Sequence, residues 1–240
     1  MRAIILAAGY ATRLYPLTEN FPKPLLDVGN KAILDWLIED IADEVEEFVV
    51  VSNHKFYEHF REWSEKRPEN IRVIDDGTTS NEARLGAVRD IQIAVTRVDE
   101  SCDYLVMAGD NLLDFSLKEF VDYARGKGTS CVMCHEEDKL EALQKTAVIT
   151  VDENDRITSY EEKPKKPLGH LAVPPFYFYK HEDINLIDEA LRDGCNYDAP
   201  GSFAAWLSAR KPVHAWLMSG RRYDIGDIES YERVKRVFEG

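Results

Sequence analysis

Positive charge is in short supply in this chain. Its 240 residues include 30 lysines and arginines against 44 aspartates and glutamates, which gives a formal net charge of −14 at pH 7. Proteins that bind nucleic-acid backbones or anionic membranes without sequence preference depend on an excess of cations. The composition therefore predicts no nucleic acid and no membrane as partners, and an anionic substrate would need a local cationic pocket.

Cysteine and long apolar runs are also scarce. The N-terminal apolar run, 3–8, ends at Gly9, which is too early for a secretion signal or a membrane span. Of the four cysteines only Cys131 and Cys134 are close together, and no second Cys or His pair stands at a zinc-ligand spacing. We therefore expect a cytoplasmic protein with reduced thiols.

Hydrophobic residues make up 44% of the chain, which is enough for a sizeable core. Short runs rich in Val, Ile and Leu predict buried strands, and apolar residues on one helical face predict helices. In the first half, strands are predicted at 2–8, 47–53, 71–76 and 103–109, and helices at 33–41, 56–66, 85–98 and 117–127. This alternation is typical of a parallel sheet with right-handed crossovers.

The pattern changes after residue 128. Strand-like segments follow one another at 129–137, 146–152, 157–163 and 171–180, and the tail predicts a helix, a strand and a helix at 181–193, 213–218 and 227–239. Residues 152–155 have the composition of a hairpin turn. We predict a single α/β domain over 1–240, with a central, mostly parallel mixed sheet flanked by helices and a smaller antiparallel, substrate-facing subregion.

A loop of small residues follows the first predicted strand. It reads Leu-Ala-Ala-Gly-Tyr-Ala-Thr-Arg over 6–13, and Pro-Lys-Pro follows at 22–24. Backbone N–H groups of such a loop can approach a phosphate, Arg13 adds a bidentate donor, and Lys23 adds a second positive charge between two prolines. An ordinary βα turn would look the same, and the glycine spacing of a Walker or Rossmann fingerprint is missing.

Together with three later segments, this loop resembles the sugar-phosphate nucleotidyltransferases, which include the glucose-1-phosphate thymidylyl-, uridylyl-, cytidylyl- and adenylyltransferases. The later segments are Ala108-Gly109-Asp110, Glu161-Glu162-Lys163-Pro164 and Tyr223-Asp224-Ile225-Gly226. They recur in the family's order over essentially the whole chain. The resemblance implies a Rossmann-like (GT-A-like) fold in which 1–128 mainly binds the nucleotide, 129–226 mainly binds the acceptor, and 227–240 forms a C-terminal helix.

The resemblance also implies roles for individual residues. The nucleotide would be bound by Leu6, Ala8, Gly9, Tyr10, Thr12, Arg13, Lys23, Asn81, Gly86 and Asp110. The acceptor would be bound by Glu162, Lys163 and Val173, and the cofactor Mg²⁺ by Asp110 and Asp224. The catalytic set would be Arg13, Lys23, Asp110, Lys163 and Asp224. Asp227 fits the start of the last helix as a cap.

Several of these residues also fit structural roles. Asp110 and Asp224 are common in caps and turns, Asn81 could cap a loop, and Glu162 beside Lys163 could be a solvated surface pair.

Three positions depart from the family pattern. The segment 75–82 lacks the Gln with which thymidylyl enzymes read the base, so base identity stays open, with a pyrimidine favoured. Pro174-Pro175 stands where hexose-phosphate enzymes usually have Thr-Gly or a similar small pair, and Ala11 replaces the commoner Gly.

The implied chemistry needs no protein base. A phosphate monoester has a second pKa of about 6 and is already an anionic nucleophile at neutral pH, which agrees with six histidines that show no motif spacing. We predict a stand-alone transferase that joins an NTP to a sugar 1-phosphate or another phosphorylated alcohol, releasing pyrophosphate.

Other functions remain open at this point. A cytidylyltransferase for a non-sugar alcohol phosphate and a silent nucleotide-sensing domain are the alternatives. A glycosyltransferase would normally show an Asp-x-Asp pair, which 109–111 lacks. Trp206 and Trp216 suit either a core or an interface, so a homo-oligomer is compatible with the sequence.

Overall fold

The computed structural model describes residues 1–98 and 101–238. Strands, in chain order, are β1 (Arg2–Leu6), β2 (Asp27–Val28), β3 (Lys31–Ala32), β4 (Glu47–Ser52), β5 (Ile71–Asp75), β6 (Tyr104–Ala108), β7 (Asn111–Leu113), β8 (Ser130–Glu136), β9 (Ala147–Val151), β10 (Ile157–Glu162), β11 (Leu171–Val173), β12 (Phe176–Tyr179), β13 (Val213–Leu217) and β14 (Arg222–Asp224). Helices are α1 (Ile33–Asp40), α2 (Tyr57–Ser64), α3 (Ala87–Arg97), α4 (Leu117–Lys127), α5 (Leu140–Leu143), α6 (His181–Ile184), α7 (Ile187–Arg192), α8 (Gly201–Ser208) and α9 (Ile228–Phe238).

The chain forms two compact units. The first unit comprises Met1–Leu85, Ala108–Lys118 and the chain from Gly220 onward, and the second comprises Gly86–Met107 and Glu119–Ser219. Each unit contains its own sheet strands and its own buried side chains.

The first unit is built on parallel strands. In it β4 pairs in parallel with β1 and with β5, with Ile4 opposite Val49 and Val50 opposite Val73. Because the strands are parallel, their carboxyl ends share one edge, where α/β folds place ligand groups. The loop 7–13 therefore leaves β1 at that edge.

A buried cluster holds this loop in the first unit. Its members come from the end of the loop, from β2, from β7 and the residue after its partner strand β14, and from α1 and α9, and they are Leu14, Val28, Ile33, Leu112, Ile225, Tyr231 and Val234. Since Leu14 follows Arg13 and Ile225 follows Asp224, burial of this cluster fixes the backbone at both charged residues.

The second unit contains the antiparallel subregion. In it β12 is antiparallel to β6 and β8, β11 is antiparallel to β8 and β9, β10 is antiparallel to β9, and β13 runs parallel to β8. The predicted α/β fold class, with parallel strands first and an antiparallel subregion later, is confirmed.

The strand predicted at 171–180 is interrupted by Pro174 and Pro175. Both β11 and β12 lie along β8, but on their other side β11 pairs with β9 and β12 pairs with β6. Neither proline has an N–H for a ladder, and the Phe176 N–H donates to the Pro174 carbonyl at 2.7 Å.

Several other elements differ from expectation, and the short strands β2, β3, β7 and β14 and helix α5 were not predicted. The helix predicted at 181–193 is broken between α6 and α7, where the Leu186 N–H bonds three residues back to Asp183. Helix α8 was not predicted, because it is apolar on most faces rather than amphipathic and begins at Pro200-Gly201, a pair typical of loops. Helix α9 ends at Phe238, so residue 239 of its predicted range lies outside the described residues.

Among residues 1–98 and 101–238, no helix is both long enough and apolar enough to cross a bilayer.

Candidate active site

A pocket of about 370 Å³ opens beside the β1 loop of the first unit. We call it the first pocket, and its lining is Leu6, Ala7, Gly9, Ala11, Arg13, Leu14, Lys23, Pro24, Ala108, Asp110, Asp224 and Gly226. The four predicted charged residues of this region, Arg13, Lys23, Asp110 and Asp224, are therefore brought together by the fold.

The loop reaches this pocket through a left-handed residue. Ala11 has φ 46° and ψ 41°, a conformation that costs an L-residue energy and that glycine adopts freely. The Ala11 carbonyl accepts the Leu14 N–H at 2.9 Å and the Thr18 hydroxyl at 2.8 Å. These bonds hold the turn that buries Leu14 and leaves Arg13 exposed.

Lys23 and Asp110 form the central ion pair of the first pocket. The Lys23 ammonium donates to Asp110 Oδ2 at 2.8 Å, although Lys23 is only 6% exposed. The Asn111 amide donates to Asp110 Oδ1, also at 2.8 Å. Both carboxylate oxygens of Asp110 thus have protein donors, which fixes the orientation of the carboxylate.

Asp224 reaches the same pocket through strand pairing. It ends β14 and lies opposite Asn111 of β7, the neighbour of Asp110 in sequence. The Asp224 carboxylate is 55% exposed and lies 3.9 Å from the Arg222 guanidinium. Asp227, by contrast, accepts the Ser230 N–H at 2.8 Å, so its predicted role as a helix cap is confirmed.

The carboxylates of the first pocket suit a hard cation such as Mg²⁺ that is held partly by the protein and partly by a bound substrate. Over 1–98 and 101–238, no cluster of three or more His, Cys, Asp or Glu side chains could hold a metal ion. Mg²⁺ commonly takes only one or two carboxylates and completes its shell with water and substrate phosphates. The two carboxylates of Asp110 and Asp224 fit that requirement.

Two other residues predicted to bind the nucleotide, Ala8 and Tyr10, hold the loop 7–13 in place. The Tyr10 hydroxyl donates to the Thr78 carbonyl at 3.0 Å and Tyr10 is 5% exposed. The Ala8 carbonyl accepts the Asn53 amide at 3.0 Å. Neither residue lines the first pocket, and both contacts tie the loop to the ends of neighbouring strands.

Two further predicted nucleotide residues lie on turns outside the pocket lining. Thr12 opens the short 3-10 turn Thr12–Leu14, and Asn81 opens another at Asn81–Ala83. The Asn81 backbone carbonyl accepts a hydrogen bond from Arg84 at 3.2 Å. A nucleotide contact through Thr12 or Asn81 stays a prediction.

Gly86 lies in the second unit, at the start of α3. It has φ 92°, and a Cβ there would lie 2.5 Å from the Tyr197 carbonyl oxygen. The approach is close because the N–H groups of Ala87 and Val88 donate to the carbonyls of Asp198 and Tyr197 at 3.3 and 2.9 Å. Glycine is thus required by backbone docking, and its predicted packing on the base stays a prediction.

A second pocket, of about 280 Å³, lies entirely within the second unit. Its lining is Lys145, Thr146, Ala147, Glu162, Lys163, Val173, Pro175, Tyr177, Asp198, Ala199, Pro200 and Gly201. The three predicted acceptor residues, Glu162, Lys163 and Val173, are all among them.

The end of β10 turns sharply at this pocket. Glu162 is the last strand residue, opposite Ala147 of β9. Lys163 then adopts φ 47° and its N–H donates to the Thr146 carbonyl at 3.1 Å. A left-handed lysine before a proline is uncommon, and such backbone strain is frequent at functional sites.

The side chain of Glu162 is half-buried and forms no hydrogen bond or salt bridge with the other described residues. Burial raises the pKa of its carboxyl, and the neighbouring Lys163 charge only partly offsets that effect. The carboxylate therefore lacks a donor partner that a bound ligand could supply.

Gly201 is one of the pocket residues that sequence reasoning missed. A Cβ at Gly201 would lie 2.5 Å from the Tyr160 hydroxyl and 3.1 Å from Glu162 Oε2. Only glycine lets the first turn of α8 approach these groups. The available signal was the Pro200-Gly201 pair, a combination that is typical of loops and does not indicate a helix start.

The cysteines take no part in either pocket lining. Cys131 and Cys134 are buried in β8 as free thiols. Burial raises the pKa of each to about 12, so both are protonated and unreactive at neutral pH.

Known proteins match this chain along its whole length. It matches the nucleotidyl transferase family over residues 2–239. It is 25% identical to UTP–glucose-1-phosphate uridylyltransferase AglF of Haloferax volcanii over 98% of this chain and 96% of that protein. It is 26% identical to UTP–glucose-1-phosphate uridylyltransferase of Synechocystis over 98% of this chain, but it spans 63% of that protein.

The fold has a matching solved structure. UDP-glucose pyrophosphorylase complexed with UDP-glucose superimposes with a TM-score of 0.84 over 99% of this chain and 97% of its own, at 20% sequence identity. The match of the family over residues 2–239 shows that the chain belongs to the nucleotidyl transferase family, and the predicted family and enzyme class are confirmed.

Proposed function

We propose that this chain transfers the nucleotidyl group of an NTP to a sugar 1-phosphate, which yields an NDP-sugar and pyrophosphate. The observation that carries the proposal is the gathering of Arg13, Lys23, Asp110 and Asp224 around the first pocket. These are the residues that the family resemblance assigns to nucleotide and metal binding. Glu162 and Lys163 in the second pocket supply the matching acceptor groups.

In this reaction an oxygen of the acceptor phosphate attacks the α-phosphorus of the NTP. The bond from that phosphorus to the oxygen bridging to the β-phosphate breaks, and pyrophosphate leaves with the bond electrons. The acceptor phosphate is already anionic, so the protein must supply positive charge and alignment rather than a base. No proton has to be removed from the nucleophile.

The chain's own cations fit that task. Arg13 would grip the triphosphate with its planar guanidinium, and Lys23 would exchange its bond to Asp110 for a phosphate oxygen. Lys163 would hold the acceptor phosphate, and Glu162 would accept hydrogen bonds from the sugar hydroxyls. Asp110 and Asp224 would hold Mg²⁺, which when bound neutralises phosphate charge.

The favoured nucleotide is a pyrimidine, with UTP first, because two of the similar proteins are named for UTP. We place the reaction in the cytoplasm, where buried free thiols stay reduced.

The test is pyrophosphate release from ATP, GTP, CTP, UTP and dTTP, each with Mg²⁺ and a panel of sugar 1-phosphates and small alcohol phosphates. Asp110→Asn removes a charge from the first pocket, and Asp138→Asn removes an exposed charge outside both pockets. We expect release with one nucleotide and a sugar 1-phosphate, lost in Asp110→Asn and retained in Asp138→Asn. Absence of release from every pairing would overturn the proposal, and release only with alcohol phosphates would overturn the sugar acceptor.

A further inference from the structure

The wall of the second pocket formed by β11 and β12 offers few backbone donors. Pro174 and Pro175 have no N–H, and the Phe176 N–H is already bonded to the Pro174 carbonyl at 2.7 Å. Pro200, which also lines the pocket, lacks an N–H as well. These residues therefore offer a bound phosphate no backbone donor, which makes the side chains of the lining the donors to consider.

The charges of the pocket also limit what Lys163 can do alone. Glu162 and Asp198 line the same cavity, so with Lys163 as the single cation the lining would be net negative. A phosphate dianion would then be repelled rather than attracted. A second cation is needed, and Lys145 is the other one in the lining.

The backbone holds Lys145 beside Lys163. The Lys163 N–H donates to the Thr146 carbonyl at 3.1 Å, and the Gln144 side-chain amide donates to the Lys165 carbonyl at 2.8 Å. These two bonds tie the segment 144–146 to the segment 163–165. Lys145 stands between the two tied residues of its segment.

Neither lysine has an acidic partner in the described part of the chain. Both are exposed, line the cavity and form no salt bridge to a carboxylate within 4.0 Å among residues 1–98 and 101–238. Two like charges on tied segments repel each other, and an anion bound between them would offset that repulsion.

We propose that Lys145 is a second phosphate-binding residue for the acceptor, acting as a pair with Lys163 in the second pocket. The inference rests on the proposed function and deepens it. It assigns the acceptor phosphate two side-chain cations, because residues 174–176 of the β11–β12 wall contribute no backbone donors.

The test compares three lysine variants in pyrophosphate release with UTP, Mg²⁺ and glucose 1-phosphate, or with the pair that the wild type uses best. Lys145→Met removes the proposed contact, Lys145→Arg keeps the charge, and Lys166→Met removes an exposed lysine of the neighbouring loop that does not line the pocket. Loss of one charge-assisted hydrogen bond predicts a KM for the acceptor that is about 10- to 100-fold higher in Lys145→Met. The KM for the nucleotide should not change.

Lys145→Arg should restore most of the acceptor affinity, and Lys166→Met should behave as wild type. Binding of glucose 1-phosphate in the presence of α,β-methylene-UTP, measured by calorimetry, should weaken by the same factor without any turnover. Equal acceptor KM values in Lys145→Met and Lys166→Met, with an active wild type, would overturn the role of Lys145 and leave the proposed function standing. An inactive wild type that binds neither ligand would overturn both.

Discussion

The two pockets differ in how their charged groups are satisfied. In the first pocket the Asp110 carboxylate receives donors from Lys23 and Asn111, each at 2.8 Å. In the second pocket the side chains of Glu162 and Lys163 have no such partner within the described residues. The Asp110 carboxylate of the first pocket is thus oriented by the protein itself, whereas these two side chains of the second pocket are not.

This difference suits two different tasks. Stabilising charge that develops during transfer requires groups that are fixed in advance, because reorganisation during the reaction costs energy. Recognising an acceptor benefits from groups left unpaired, since a wrong ligand then leaves buried polar atoms unsatisfied. We therefore expect changes in the first pocket to lower kcat, and changes in the second pocket to raise the KM for the acceptor.

The largest effect is expected when the Lys23–Asp110 ion pair of the first pocket is removed. Lys23→Met removes the donor to Asp110 and a cation for the triphosphate, so kcat should fall about 10²- to 10³-fold with little change in acceptor KM. Steady-state pyrophosphate release measures both constants. Lys31→Met, which breaks an ion pair with Glu39 outside both pockets, is the control. A change in acceptor KM alone would contradict the division of tasks.

The next effect concerns the docking of Gly86 against Tyr197 and Asp198, of which Asp198 lines the second pocket. In Gly86→Ala the new Cβ would lie 2.5 Å from the Tyr197 carbonyl oxygen at a φ of 92°, so we expect a loss of about 2–4 kcal/mol in the free energy of unfolding. Urea denaturation measures the loss. Gly77→Ala has a similar φ of 81° with no atom within 4 Å, and it should cost only about 1 kcal/mol. Equal losses would mean that close backbone docking contributes nothing.

A smaller effect is expected on the acceptor KM when Gly201, which lines the second pocket, is replaced. Gly201→Ala forces its Cβ toward the Tyr160 hydroxyl, 2.5 Å away, and should displace Glu162, raising acceptor KM about tenfold. Tyr160→Phe removes the obstructing oxygen, so the double variant should recover part of the lost affinity. Purely additive effects of the two substitutions would show that they do not interact.

The smallest effect is a pH dependence of stability. Burial raises the folded-state pKa of Glu162 above its unfolded value, so the folded protein holds this proton more tightly. Stability contributed by the carboxyl is then greatest below the unfolded pKa of about 4.3 and is lost as pH rises through the raised folded pKa.

Glu162→Gln removes that loss, so the variant should be more stable than wild type at pH 7, with a smaller difference near pH 5. Denaturation at both pH values measures the trend, with Glu153→Gln in the exposed 152–155 turn as the control. A constant difference at the two pH values would contradict the assignment to this carboxyl.

Much of the fold and site was predictable because the signals are local. Apolar periodicity located β1, β4, β5 and the face of α1, since burial on one side dictates the repeat. The motifs that contain Arg13, Lys23, Asp110 and Asp224 occur in the same order as in a known family, and this resemblance was enough to assign the four residues to one site. Asp227 was recognised as a cap from its position alone.

Sequence alone determined the alternation of helices and strands, the family, and most of the charged residues of the two pockets. It could do so because periodicity and short motifs are properties of residues that are neighbours in the chain. Tertiary structure alone decided which carboxylates are paired, that Gly201 lies against Glu162 and Tyr160, and that Lys145 stands beside Lys163. Those facts depend on strand register and on helix approach between segments far apart in sequence. No local pattern encodes such distances.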